Sequence, residues 1–138
     1  MPHITVDYAA PLAYTFDRHA FGRELHSVIE KTIDASAAAC RTRFRRIEEC
    51  VIADGAEDID MVHIEVAIHA GRSPEAKAGL AEAVMELARA QLPAAGRQLH
   101  TSVHITDLDP RAYVAHKTGK VEHKASKGDK GDKGETSA

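Results

Sequence analysis

Residues 62–75 read VHIEVAIHAGRSPE, and this stretch decides the fold. In its first half, valine or isoleucine stands at positions 62, 64, 66 and 68, with polar or small residues between them. This period of two is typical of a strand that is buried on one face. Its second half predicts a helix start, with Ser73 as the N-cap, Pro74 at the first helical position and Glu75 near the positive end of the helix dipole.

The segments around this stretch form two similar halves. Residues 3–8 alternate like a strand, residues 21–33 carry an apolar stripe at helical spacing, and a long strand is predicted from Arg41 to Ile52. Asp54 and Gly55 predict a turn before the second half. There the helix ends near Pro93, and a last strand carries apolar or β-branched residues at positions 99, 101, 103 and 105.

The order of these elements predicts an α+β (α/β) domain built from a β-α-β repeat. We expect one four-stranded sheet with two helices on a single face. The other face carries many polar side chains, and three such sheets could enclose it. A chain of 138 residues buries a modest share of its surface, so subunit association is a reasonable expectation.

The chain divides into a domain at residues 1–116 and a charged, Gly/Lys/Asp-rich tail at residues 117–138. The tail contains the triplets KGD, KGD and KGE at residues 127–135, with no apolar residue among them. Three triplets without proline cannot hold a collagen helix, so a largely disordered tail is predicted. We assign it no function.

Charge and hydropathy narrow the functional classes. The formal net charge is -3, with an acidic body and a weakly basic tail. This distribution does not predict the basic surface that nucleic-acid binding requires. The chain contains no apolar run long enough to span a membrane and no signal-peptide pattern. A cytoplasmic protein without nucleic-acid or membrane partners is expected. Cys40 and Cys50 lack CxxC spacing and are predicted to be small buried side chains.

Pro2 is the first candidate for chemistry. Removal of Met1 would leave it with a free secondary amine, which can act as a base. Burial or nearby cations disfavour the charged form of such an amine and bring it into the range useful for general base catalysis. Many proteins have proline at position two without a catalytic reason, so Pro2 needs further support.

Four segments supply that support. They are MPHITVDY at residues 1–8, CRTR at 40–43, ADG at 53–55 followed by VH at 62–63, and AGRS at 70–73. In order and spacing they resemble the tautomerase superfamily, and most closely the 5-carboxymethyl-2-hydroxymuconate Δ-isomerase family. The resemblance covers roughly residues 1–115. It is weaker over residues 9–36, and the chain has Asp109 before Pro110 where the family tends to have histidine.

The resemblance implies a homotrimer whose three sheets surround a central barrel, with Pro2 as the catalytic proton shuttle. It implies that Arg41 and Arg72 bind the carboxylates of a small-molecule substrate. The expected reaction is proton transfer in an unsaturated 2-hydroxy di- or tricarboxylate, in the setting of aromatic catabolism, without cofactor or metal. Arginine suits this task because its planar fork pairs with carboxylate at two points and stays charged.

Alternatives remain open at this point. An enzyme of the same fold could hydrate or decarboxylate an unsaturated acid, or the chain could be a non-catalytic trimeric binding protein. Among nine histidines, a cross-strand pair such as His63 with His104 is conceivable as a metal site, but polar strand-face histidines are the commoner explanation. The sequence also leaves open whether Cys40, Arg43 and Tyr113 line the pocket.

Overall fold

The computed structural model describes residues 1–94 and 96–119. Most of the predicted tail, residues 120–138, lies outside the described residues. The elements are β1 (His3–Ala9), α1 (Arg18–Ile33), β2 (Arg41–Ile47), β3 (Ile59–His69), α2 (Pro74–Gln91) and β4 (Gln98–Leu108). Short 3-10 helices span Ala10–Tyr14, Ala37–Ala39 and Pro110–Ala112.

The four strands form one mixed sheet in the order β2-β1-β3-β4. β1 is parallel to β2 and antiparallel to β3, and β3 is parallel to β4. Each parallel pair with its crossover helix is one β-α-β unit, and the two units join through the antiparallel centre. The predicted β-α-β repeat with a four-stranded sheet is confirmed.

One apolar core joins the sheet to both helices. The alternating residues of β1 and β3 are fully buried on one face, and α1 and α2 cover that face with Phe21, Leu25, Leu80 and Val84. The apolar residues of β4 are only partly buried because β4 is an edge strand. Both helices therefore pack on a single face of the sheet, as the sequence predicts.

The caps of α2 follow the expected pattern. The Ser73 hydroxyl accepts a hydrogen bond from the Ala76 amide at 3.0 Å, and Pro74 occupies the first helical position. The helix ends at Gln91, two residues before Pro93. None of the helices among residues 1–94 and 96–119 is long and apolar enough to cross a membrane.

The strand predicted from Arg41 to Ile52 is wrong in its second half. β2 ends at Ile47 because β1, its one neighbour among the described strands, ends at the paired residue Ala9 and enters a 3-10 helix that contains Pro11. Without a partner the strand cannot continue. The prediction that Cys50 is buried is also wrong, since this residue lies in the exposed connection that follows β2, whereas Cys40 is buried. The turn at Gly55 is confirmed.

The sheet face opposite the helices is polar, and we call it the open face. Arg45 forms a two-point ion pair with Asp7 there. The carboxylate of Glu65 lies between His63 Nε2 at 2.9 Å and His104 Nδ1 at 2.8 Å. The two histidines that the sequence offers as a possible metal pair therefore share this carboxylate as their hydrogen-bond partner. Among the described residues, no group of three or more His, Cys, Asp or Glu side chains could hold a metal ion.

Candidate active site

A cavity of about 460 Å³ lies at the end of the sheet where β1 begins and β3 ends. Its walls come from the last turn of α1, the connection that follows it, the end of β3 and the turn before α2. Residues in these walls include Pro2, Ile33, Asp34, Ile68, His69 and Arg72. The cavity thus brings together Pro2 and Arg72, two of the three residues that the sequence singles out.

Pro2 is buried directly before β1. Its carbonyl accepts a hydrogen bond from the Arg41 amide at 3.0 Å, which fixes the backbone where β1 and β2 begin. Met1 also lines the cavity, and its peptide bond makes the Pro2 nitrogen an amide. A basic nitrogen would arise at this position only once Met1 has been removed.

Arg72 reaches the cavity from the β3–α2 turn. Gly71 precedes it with a φ of 125°, which L-residues rarely adopt, so the chain turns sharply after β3. Arg72 Nη2 donates to the Ile33 carbonyl at 3.1 Å. That carbonyl belongs to the last turn of α1, where a cation complements the helix dipole. Arg72 therefore has a structural contact that the sequence did not reveal, in addition to its place in the cavity wall.

Arg41 is not part of the lining of this cavity. Its Nη1 donates to the carbonyls of Ala38 at 2.9 Å and Cys40 at 3.1 Å, so the side chain folds back over the short 3-10 helix before β2. Arg43, two residues further along the same face, donates through Nη2 to His3 Nδ1 at 3.4 Å. Cys40 is buried beside these groups but does not line the cavity.

Sequence reasoning missed a group of three aromatic side chains beside the cavity. The Tyr113 hydroxyl lies 2.9 Å from His3 Nε2, and the Tyr113 ring stands at 81° to the His69 ring, with the centroids 5.2 Å apart. Burial lowers the pKa of His3 below its usual value, and the positive charges of Arg43 and the amino terminus lower it further. The available signal was His69 itself, the last polar residue of the alternating strand, which comes three residues before Arg72.

The cavity also carries acidic groups. Glu30 and Asp34 also lie in its wall, at the end of α1. The Glu30 carboxylate accepts a hydrogen bond from the Ala37 amide at 3.3 Å, and Asp34 adopts a left-handed conformation at the helix C-cap with a φ of 57°. Arg72 thus shares the lining with two carboxylates.

Comparison with protein families gives a match over nearly the whole chain. The sequence profile described as 5-carboxymethyl-2-hydroxymuconate isomerase matches residues 2–123. The chain belongs to this family. Among curated protein sequences, none is significantly similar to it.

Solved structures share the fold of this 5-carboxymethyl-2-hydroxymuconate isomerase family member. A 5-carboxymethyl-2-hydroxymuconate isomerase from Deinococcus radiodurans R1 is 26% identical, with a TM-score of 0.74 over 85% of this chain and 90% of the other. A second protein, described as a 5-carboxymethyl-2-hydroxymuconate delta-isomerase, is 22% identical, with a TM-score of 0.72 over 86% and 89%.

The same fold also serves other reactions. A malonate semialdehyde decarboxylase is 18% identical, with a TM-score of 0.61 over 84% of this chain and 90% of the other. Because one fold can host several chemistries, the fold alone does not select the reaction, and the site residues must decide it.

Proposed function

We propose that this protein is an isomerase (tautomerase) that shifts a proton in an unsaturated 2-hydroxy di- or tricarboxylate such as 5-carboxymethyl-2-hydroxymuconate. The observation that carries the proposal is the common cavity of Pro2 and Arg72. It combines a potential base with a cation that can hold a carboxylate. Membership of the isomerase family supports the same reaction class.

Pro2 acts as the general base in this proposal. After removal of Met1 its nitrogen is a secondary amine, and the burial of Pro2 favours the neutral form that can accept a proton. The amine takes the proton of the enol hydroxyl, the electron pair shifts along the conjugated chain, and the resulting ammonium returns a proton to carbon. The product is a 2-oxo-3-ene, and neither a covalent intermediate nor a redox step is needed.

Arg72 binds a substrate carboxylate and stabilises the negative charge that develops on the dienolate oxygen. Only one of its nitrogens donates to the Ile33 carbonyl, so other N–H groups of the fork can serve the substrate. Arg41 is proposed as the second carboxylate ligand. Because its guanidinium lies outside the cavity lining, we place that role at a site shared between subunits.

A homotrimer completes this proposal. Within the part of the chain that the structure describes, the edge strands β2 and β4 each have one unpaired side, and the polar open face would line the barrel between three sheets. A protein of the same fold, a fused 4-OT described as a symmetric trimer, supports the arrangement with 23% identity and a TM-score of 0.60 over 83% of this chain and 93% of the other.

The deciding experiment pairs an intact-mass measurement with an ultraviolet assay of 2-hydroxymuconate ketonisation. The mass establishes that Met1 is gone, and wild type and Pro2→Ala are then assayed side by side. We expect turnover by the wild type and a loss of about 100-fold or more in Pro2→Ala, the usual scale of general base catalysis. Absence of turnover by trimmed wild type on any 2-hydroxymuconate-type enol would refute the isomerase assignment.

A further inference from the structure

Three aromatic side chains form a cluster where the open face meets the cavity. Tyr113, which follows the 3-10 helix after β4, packs edge-to-face against His69 and His3, with centroid distances of 5.2 and 5.8 Å. His3 pairs with Ala67 across β1 and β3, so His69 is its diagonal neighbour on the same face. We call His3, His69 and Tyr113 the aromatic clasp.

The hydrogen bonds of the clasp fix the orientation of Tyr113. Arg43 has only donors, so His3 Nδ1 accepts from it, and the lowered pKa of His3 favours a neutral ring. The single ring proton then sits on Nε2 and is donated to the Tyr113 hydroxyl oxygen at 2.9 Å. The tyrosine is thus held at its hydroxyl by β1 while its ring packs on the last residue of β3.

His69 extends from the clasp into the site. It lines the cavity together with Pro2, and Arg72 follows it by three residues across the turn at Gly71. The end of β3 and the turn that follows it therefore supply two polar side chains to the same cavity. The guanidinium of Arg72 brings the charge, and the imidazole of His69 can add a directional N–H donor.

We propose that His69 is a substrate-binding residue that shares the substrate carboxylate with Arg72, and that Tyr113 is the positioning residue that holds its ring. This assignment rests on the proposed function, because it names a second ligand for the carboxylate of the proposed substrate. A carboxylate offers about four lone-pair positions, more than one partly engaged arginine fills. A ring already fixed by packing loses little conformational entropy on binding, which favours the contact.

The binding arm of the test uses cis,cis-muconate, a dicarboxylate that lacks the 2-hydroxyl group. Calorimetry on the full-length protein compares wild type with His69→Phe, which keeps an aromatic ring against Tyr113 and removes the donor. We expect the Kd to rise about 10-fold, the effect of losing one charge-assisted hydrogen bond, with the Tm nearly unchanged. His100→Phe makes the same change at the far end of the open face and should leave the Kd unaltered.

The positioning arm is a double-mutant cycle on the same readout. Tyr113→Leu should raise the Kd for muconate when His69 is present and have no further effect in His69→Phe. Tyr113→Phe keeps the ring and loses only the hydroxyl, so it should restore most of the affinity lost in Tyr113→Leu. Equal effects of Tyr113→Leu in both backgrounds would show that the two residues act independently and would overturn the positioning role.

Turnover separates this inference from the proposed function. If muconate binding depends on His69 but wild type turns over no enol, the isomerase assignment fails and the carboxylate site stands. If wild type isomerises 2-hydroxymuconate while His69→Phe binds muconate with unchanged affinity, the carboxylate role of His69 is wrong and the isomerase stands. Failure of wild type to bind muconate at millimolar concentration also overturns the His69 assignment.

Discussion

The guanidinium of Arg72 donates to the carbonyl of Ile33 at 3.1 Å and so ties the turn before α2 to the last turn of α1. The same side chain lines the cavity that contains Pro2. One residue thus stabilises the wall of the site and presents charge to its interior. For variants of Arg72, both stability and activity must therefore be measured.

We expect Arg72→Ala to lower kcat/KM by at least about 10-fold, corresponding to more than about 1.5 kcal/mol of transition-state binding, and to lower the Tm as well. Arg72→Lys keeps the charge without the planar fork, so stability should recover more than activity. Arg89→Ala removes an exposed arginine that pairs with Glu86 on α2 and serves as the control. An unchanged kcat/KM in Arg72→Ala would remove the residue from the site.

The pH profile of kcat/KM tests whether Pro2 acts as a base. A base must be neutral, so activity should rise with pH through an apparent pKa below about 8 and then level off. In a hydratase or decarboxylase of the same fold, the charged amine would act as an acid, and activity should instead fall across that range. The profile is measured by single-wavelength kinetics on wild type at constant ionic strength.

The ion pair between Asp60 and Arg97 should contribute more to the free energy of unfolding than the exposed ion pairs do. Asp60 is buried and receives two hydrogen bonds from Arg97, at 3.0 and 3.1 Å, which join the starts of β3 and β4. Arg97→Ala leaves this carboxylate buried without its partner. We expect a clear loss of stability in urea unfolding, moderated because the arginine side chain is 40% exposed.

Arg45→Ala is the matched control for that measurement. It removes another two-point pair, with Asp7, but its arginine side chain is 64% exposed on the open face. Exposed pairs contribute less than about 1 kcal/mol. Equal losses in Arg97→Ala and Arg45→Ala would contradict the role assigned to burial.

Two histidines should make the free energy of unfolding depend on pH. Burial lowers the pKa of His3 and of His26, and the charges of nearby arginines lower both further. The unfolded state then binds more protons, so this contribution is present above the ordinary histidine pKa of 6.5 and is lost as the pH falls through the lower pKa values of the folded state. Urea unfolding at pH 7.5 and 5.5 should show the loss.

His26→Gln isolates one of these contributions without touching the cavity. The His26 side chain shares a 2.8 Å hydrogen bond with Thr42, and glutamine can keep a polar contact there without titrating in this range. The difference in stability between pH 7.5 and 5.5 should be smaller in this variant than in wild type. A difference as large as in wild type would show that His26 does not contribute.

Sedimentation tests the subunit arrangement. We expect a species with about three times the 14.9 kDa subunit mass. A stable monomer would remove both the trimer and the shared site in which Arg41 is proposed to bind substrate. In that case only Arg72 and His69 would remain as carboxylate ligands.

Local signals in the sequence predicted much of the fold. The alternation at residues 62–68 and the Ser73–Pro74 cap depend on neighbouring residues and fixed geometry, and both were confirmed. The end of β2 could not be predicted from its own residues. It depends on the end of β1, where Ala9 pairs with Ile47 although the two residues are 38 positions apart in the chain. Strand length at a sheet edge is set by the partner and not by the strand's own composition.

The site was predictable only in part for the same reason. Pro2 and Arg72 lie in short sequence motifs that resemble the family, and the structure brings them to one cavity. The contact of Arg72 with Ile33, and the meeting of Tyr113 with His3 and His69, join residues far apart in the chain. No local pattern encodes such contacts, and the side-chain direction of Arg41 likewise depends on the turn that precedes it.

The position of Pro2 ahead of a central strand limits when its amine can be freed. His3 of β1 is made before its antiparallel partner Ala67 of β3, so the two residues can pair only after the interval that separates their synthesis. At about 5–20 residues per second, that interval lasts roughly 3 to 13 s. Pro2 is buried in the folded protein, so we expect an aminopeptidase to remove Met1 faster from the nascent chain than after folding.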